Sequence, residues 1–428
     1  MDKNGSFKSK YGGEKMVKIG FLEDTPAILA AVGVKISQTP FEKGDIKKLY
    51  EECRANKEES KKLVNTIMRT HGHLILGDFL PYAITLEDIS RFGAIYLWRN
   101  VNSNNLIFGA GIEASFRVIK PNRCNGVVSD LGKMAFKAYQ RAISLGIPEQ
   151  DARYILPEGI LTRIIFSAPP RYLIKLANSL KRTPLTELKE IGEKVEALIK
   201  ERFGLEIPQE TLPSEWKFWG TEETKEGISL DYQGKTHSLS MNMGIRGSLA
   251  MYAQLVRQRQ ILCDIGPLEG IAKKGRFVIP NSFPKEIKGI YREIAREAKQ
   301  KQLELIEKQD PNFVYFLLMG QEATAMIYGK GAQIIETSKA RSEGVAQWEI
   351  RNKIGIPITE KLAKYEGLRK EIGPRCWREG RCTEPATFKT KKSICKAFVE
   401  SGGNWQKSLE ELLKILSEPY GTFEIKKQ

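Results

Sequence analysis

Four groups of residues have the types and spacing to do chemistry. The densest is Gln254, Arg257, Gln258 and Arg259, at the end of a helix pattern. Each guanidinium offers a planar fork of donors suited to phosphates and carbonyls, with the glutamine one turn earlier, so the cluster suits an anionic ligand; a solvated basic face is the competing reading. In the second group, Glu113, Ser115 and Arg117 alternate and share one face if the segment is extended. A hydroxyl and a guanidinium there could clamp a phosphate, the alternative being a surface Glu/Arg pair. The third is Arg341 with AQWEIR at 346–351, whose spacing predicts a buried Trp348 beside exposed Glu349 and Arg351, or plain core packing for the tryptophan. The fourth is His71 and His73; a metal needs further ligands that the neighbouring sequence does not offer, so none is expected.

Two weaker signals point elsewhere. The glycines of 109–114 look like a dinucleotide fingerprint, but the SFRVIK that follows reads as strand where that motif needs a helix. Cysteines stand at 53, 124, 263, 376, 382 and 395, too scattered for a disulfide framework, so reduced thiols are expected. Cys263 near the arginines as a nucleophile, and a metal at Cys376, Cys382 and Cys395, are minor alternatives to packed thiols.

The elements that must position these groups repeat. Residues 88–100 and 246–258 share Ser, Leu and Arg in register, at 90 and 248, 97 and 255, 99 and 257, each pair 158 positions apart. A long amphipathic helix follows in each: one near 130–145, with Ser129 as its N-cap and Gly146 and Pro148 ending it, the other over 284–308 with Glu and Lys at i, i+4 spacing. Each repeat therefore reads as a sheet covered by long helices, an α+β arrangement. The expected organisation is a flexible tail at 1–15, a first repeat at 16–202, a linker at 203–227, a second repeat at 228–365, and a basic, Cys-containing C-terminal appendage at 366–428.

With 428 residues, 41% of them hydrophobic and 28% charged, the chain can bury two ordinary cores and is not globally disordered. No apolar run approaches the roughly 18 residues needed to span a bilayer, and no signal peptide opens the chain, so it reads as cytoplasmic. The formal charge of +16 points to anionic partners, a description that nucleic acid, phosphorylated metabolites and anionic membranes all fit.

The residues quoted above resemble those of flavin-dependent thymidylate synthases, whose signature has the form RHRxxSxNExSxRY with a later AQWEIR-like block. The resemblance spans roughly 16–365, and it divides the signature between the repeats. The second repeat supplies Arg257-Gln258-Arg259, similar to RHR with its histidine replaced, and AQWEIR. The first supplies Glu113, Ser115 and Arg117, similar to ExSxR, together with His73 and a DARYILP run at 151–157 similar to ARxVLP. In the family, sites form between subunits of a tetramer, so a fused duplicate could keep one kind of site while the other decays.

The resemblance implies FAD bound by Arg257, Gln258, Arg259 and His73, with a uracil nucleotide, dUMP, bound by Gln254, Glu113, Ser115, Arg117 and Arg171. Arg257, Gln254 and Arg341 would serve at the reacting centre, NADPH and methylenetetrahydrofolate would be co-substrates, and a homodimer would form a pseudo-tetramer. Two alternatives stay open: an RNA-binding or RNA uracil-modifying protein on this scaffold, and a non-catalytic nucleotide or flavin binder.

Overall fold

A computed structural model describes residues 18–22, 26–70, 83–103, 110–115, 121–168, 170–203, 225–257, 261–343, 346–374 and 420–426. The fold is α+β, with antiparallel sheets and many helices, and the chain divides into two compact units. Unit 1 holds Met1–Phe218 and Ser282–Met319; unit 2 holds Trp219–Asn281 and Gly320–Gln428.

Unit 1 begins with β1 (Lys18–Leu22), α1 (Pro26–Gln38), α2 (Ile46–Ala55) and α3 (Lys57–Thr70). There follow β2 (Ala83–Ser90), α4 (Arg91–Ser103), β3 (Ala110–Glu113), α5 (Ser129–Ser144), α6 (Glu149–Ala152), β4 (Leu161–Ser167), α7 (Pro170–Lys181) and α8 (Thr186–Phe203). The strands form one antiparallel sheet in the order β1-β2-β4-β3. β4, LTRIIFS, is buried at every position, its polar Thr162, Arg163 and Ser167 included, so both its faces are covered where an open-faced strand would leave one exposed. Between Glu87 and Ile89 the β2–β4 register slips by a bulge at Asp88, whose φ is 59°, and Asp88 meets Arg123 at 2.7 Å.

In unit 2 come β5 (Gly227–Asp231), β6 (Ser240–Ser248), α9 (Leu249–Leu255), β7 (Leu262–Ile265), α10 (Leu268–Lys274) and β8 (Arg276–Ile279). The chain then enters unit 1 as α11 (Lys285–Glu307) before returning as β9 (Glu322–Lys330), α12 (Ala332–Arg341), α13 (Trp348–Ile350), a π-helical turn (Arg351–Gly355) and α14 (Ile356–Leu362). Its four-stranded sheet runs β5-β6-β9-β7, also antiparallel throughout. β6 pairs with β9 without a slip, from Ser240 opposite Lys330 to Ser248 opposite Glu322. A last strand, β10 (Gly421–Glu424), pairs with β8 and stacks Phe423 on Phe277 at 5.1 Å.

Both long helices fall where the periodicity puts them. α5 differs at its start: a 3-10 turn over Gly126–Val128 runs straight into it, so the capping side chain is Asn125, accepting from Val127 N at 2.9 Å, and Ser129 is already helical. Although α11 follows β8 in sequence, it packs on α5 in unit 1, where Arg141 forks onto Glu286 at 2.7 and 3.3 Å. Among the described residues no helix is long and apolar enough to cross a membrane. The tail at 1–15, most of the 203–227 linker, and Cys376, Cys382 and Cys395 lie outside the described residues.

Candidate functional site

In unit 2 the strand β6 ends at Ser248 and α9 starts at the next residue. Ser248 is the N-cap, its Oγ accepting from Met251 N at 3.1 Å, which satisfies one of the orphan donors of the first turn. Two further bonds fix it from a distant segment: Ser248 N and Oγ donate to the two oxygens of Glu349, at 2.8 and 2.5 Å. α9 is buried on every side, with Tyr252 Oη against the carbonyls of Ile245 and Ala323 at 3.2 and 3.1 Å. It carries Gln254, buried, and delivers Arg257 to the turn beyond its end. Burial pulls the Arg257 guanidinium down to about 10, and no carboxylate among the described residues offsets that cost. A cation so placed gains from an anionic or electron-rich partner. Gln258 and Arg259 lie outside the described residues.

The AQWEIR segment departs from its predicted exposure at the two charged positions. Glu349 is fully buried and Arg351 nearly so, while Trp348 is half-buried. The reason is the Ser248 pair: α13 turns its carboxylate inward to meet the start of α9, and Gln347 caps the short helix by accepting from Ile350 N at 3.0 Å. Lys353 completes the arrangement, with Nζ at 2.5 Å from the Arg246 carbonyl, 3.4 Å from Glu349 Oε1 and 4.3 Å from the centre of the Tyr420 ring. Burial lowers its pKa, but Glu349 and Tyr420 more than offset this and the net shift is upward. Arg341, half-buried, ends α12, and its backbone packs on Gly355 of the π-helical turn.

Unit 1 repeats the first of these devices. Ser90 N and Oγ both donate to Glu187 at 2.6 Å, Ser90 Oγ accepts from Gly93 N at 2.9 Å at the start of α4, and the third partner is the Tyr315 hydroxyl, 2.9 Å away. Burial pushes the Glu187 carboxyl up, against the hydrogen bonds from Ser90 and Tyr315. Glu113 ends β3 fully buried, ion-paired to Arg91 and accepting from Trp98 Nε1 at 3.2 Å, so its carboxylate is engaged within the unit. Ser115 follows in a loop, its amide donating to the Ser37 carbonyl at 3.1 Å. Arg171 is the second residue of α7. His73 and Arg117 lie outside the described residues. Gln254, Arg257 and Arg341 thus belong to unit 2, and Glu113, Ser115 and Arg171 to unit 1.

Sequence reasoning missed Glu187 and Glu158, and it placed Glu349 on the surface without its serine partner. Glu187 and Glu349 act on serines 97 and 101 positions away, and no local pattern signals that. Glu158 is fully buried, neither of its oxygens is hydrogen-bonded among the described residues, and burial raises it to about 7 against the pull of Arg91 and Arg153. Among the described residues no cluster of ligands could hold a metal ion.

Residues 114–203, within unit 1, match the family described as Thymidylate synthase complementing protein. Curated relatives include the flavin-dependent thymidylate synthases of Saccharolobus solfataricus, 29% identical over 111 residues, and Sulfolobus acidocaldarius, 28% identical over 112. That of Sulfurisphaera tokodaii is 29% identical over 111. Each alignment covers 24% of this chain and 43% of the relative, so the chain spans under half the length of the proteins it matches.

Proposed function

From a chain similar over residues 114–203 to flavin-dependent thymidylate synthases, we propose an enzyme that binds FAD and methylates a uracil nucleotide, dUMP to dTMP. Methylenetetrahydrofolate would give the carbon and NADPH the hydride. The observation that carries this is Arg257: a half-buried, partly desolvated guanidinium, with no carboxylate offsetting that cost among the described residues, just past the end of a helix held at its start by Ser248 and Glu349. Such a group fits an anionic cofactor or the electron-rich edge of a flavin ring. Arg257, Gln258 and Arg259 hold the flavin, with His73 at its other side, and Gln254 and Arg257 face the pyrimidine. Ser115, Arg117 and Arg171 take the nucleotide phosphate, and Arg341 adds positive charge. Bound flavin supplies the redox chemistry; the chain's residues orient the ligands, exclude water and set the local field.

The shared strand order of the two sheets supports descent from two tandem copies, as do the Ser90–Glu187 and Ser248–Glu349 pairs at matching places. In this reading the copies contribute unlike halves of one site, completed in a homodimer. A second reading, a non-catalytic binder, is favoured by Glu113, whose carboxylate faces Arg91 and Trp98.

Purified protein should be yellow, and should release the C5 hydrogen of dUMP when given NADPH and methylenetetrahydrofolate. Yellow protein without that release leaves the binder. Colourless protein whose Tm responds neither to FAD nor to dUMP ends both readings.

A further inference from the structure

We propose that Glu349 is a positioning residue for the ligand site at Arg257, acting through Ser248. This rests on Arg257 being a flavin-binding residue.

α9 has only seven residues, and a helix under about 12 residues has little stability of its own, so its direction is set by what holds its ends. At its start, one carboxylate takes both the amide and the hydroxyl of Ser248, at 2.8 and 2.5 Å, with all these groups buried. Lys353 ties the same carboxylate to the preceding strand, bridging Glu349 Oε1 and the carbonyl of Arg246. One short helical segment, Trp348 to Gly355, therefore grips both the last residues of β6 and the start of α9. From Ser248 to Arg257 the chain advances about 13 Å at helical rise, so a tilt of about 5° at the clamp moves the guanidinium by about 1 Å. Misplacement on that scale can cost about a hundredfold in a site that depends on alignment.

A stability role alone explains the arrangement less well, because a buried ion pair contributes little compared with apolar residues filling the same space. Unit 1 gives the internal comparison. Ser90 and Glu187 make the same two bonds, but the third partner is the neutral Tyr315 hydroxyl, and Arg99 lies within α4 whereas Arg257 stands in the turn just past the end of α9. Among the described residues only the clamp of unit 2 is braced by an ammonium group, which Tyr420 covers.

The test uses the full chain, FAD as the probe, and the variants Glu349→Ala, Ser248→Ala, Glu349→Gln and Glu187→Ala, with Kd from flavin fluorescence and Tm from circular dichroism. Glu349→Ala and Ser248→Ala should each raise Kd about tenfold or more, and their combination no further, since both cut one linkage. Glu349→Gln, which keeps an acceptor for the Ser248 amide, should recover affinity to within about threefold. Glu187→Ala should lower Tm comparably yet leave Kd within about twofold. Ser248→Ala at wild-type affinity overturns the proposal, even where Glu349→Ala does not fold; so does Glu187→Ala weakening FAD as much as Glu349→Ala. If the wild-type chain binds no FAD, the enzyme reading fails separately, and amide exchange over 249–257 decides the clamp. Exchange at least about tenfold faster in Glu349→Ala and Ser248→Ala, but not in Glu187→Ala, supports it, and unchanged exchange rejects it.

Discussion

At the scale of the residue, two ionisable groups have stated consequences. Arg257 is half-buried and partly desolvated, with no carboxylate offsetting that cost among the described residues, so Arg257→Met should raise stability by about 1 kcal/mol while weakening FAD binding by about tenfold or more. Urea unfolding with a flavin titration checks both directions at once. Glu158 titrates near 7 in the folded chain against an ordinary 4.5. Its raised value means that its contribution is fully present below about 4.5 and is lost as pH rises toward 7, by roughly 3 kcal/mol. Glu158→Gln should flatten that slope and stabilise the protein at about pH 8, measured by urea unfolding at about pH 5 and about pH 8. The sequence exposes Arg257 through its donor-rich neighbourhood, yet it says nothing of Glu158, a lone carboxyl in an apolar run. It misplaces Glu349 because three-residue helical spacing ignores a partner 101 positions away.

At the scale of the element, long amphipathic helices were legible because their stabilising faces repeat at 3.6 residues, and α11 matches its predicted span almost to the residue. Short elements were not, since their positions come from remote bonds. The π-helical turn is one. Its Gly355 lies against the backbone carbonyl of Arg341, and a Cβ there would enter atoms that cannot rotate away. Gly355→Ala should therefore cost roughly 3 kcal/mol and shift Arg341, seen as a fall in Tm. The C-terminal strand β10 is another. Its pairing with β8 and the approach of Tyr420 to Trp348 at 5.7 Å depend on contacts across more than 70 residues of chain, which periodicity does not report.

At the scale of the whole molecule, the proposed repeat rests in the sequence on three matched positions, and the resemblance to the thymidylate synthase complementing family stands on residues 114–203. How the chain is shared between units was not visible, because amphipathic periodicity shows that a helix has an apolar face and not which sheet covers it. Unit 1 takes α11 from between two segments of unit 2. A fragment of residues 1–218 should accordingly lack cooperative unfolding and bind hydrophobic dyes, whereas the full chain should not, with calorimetry and dye fluorescence as the measurements. The same exchange of segments imposes a delay during synthesis. After α5 leaves the ribosome, about 140 more residues must be translated before α11 arrives, roughly 10–30 s at ordinary elongation rates, and throughout it the face of α5 that packs on α11 awaits its cover. A cell making this protein would need a chaperone, or slow local aggregation, to bridge that interval.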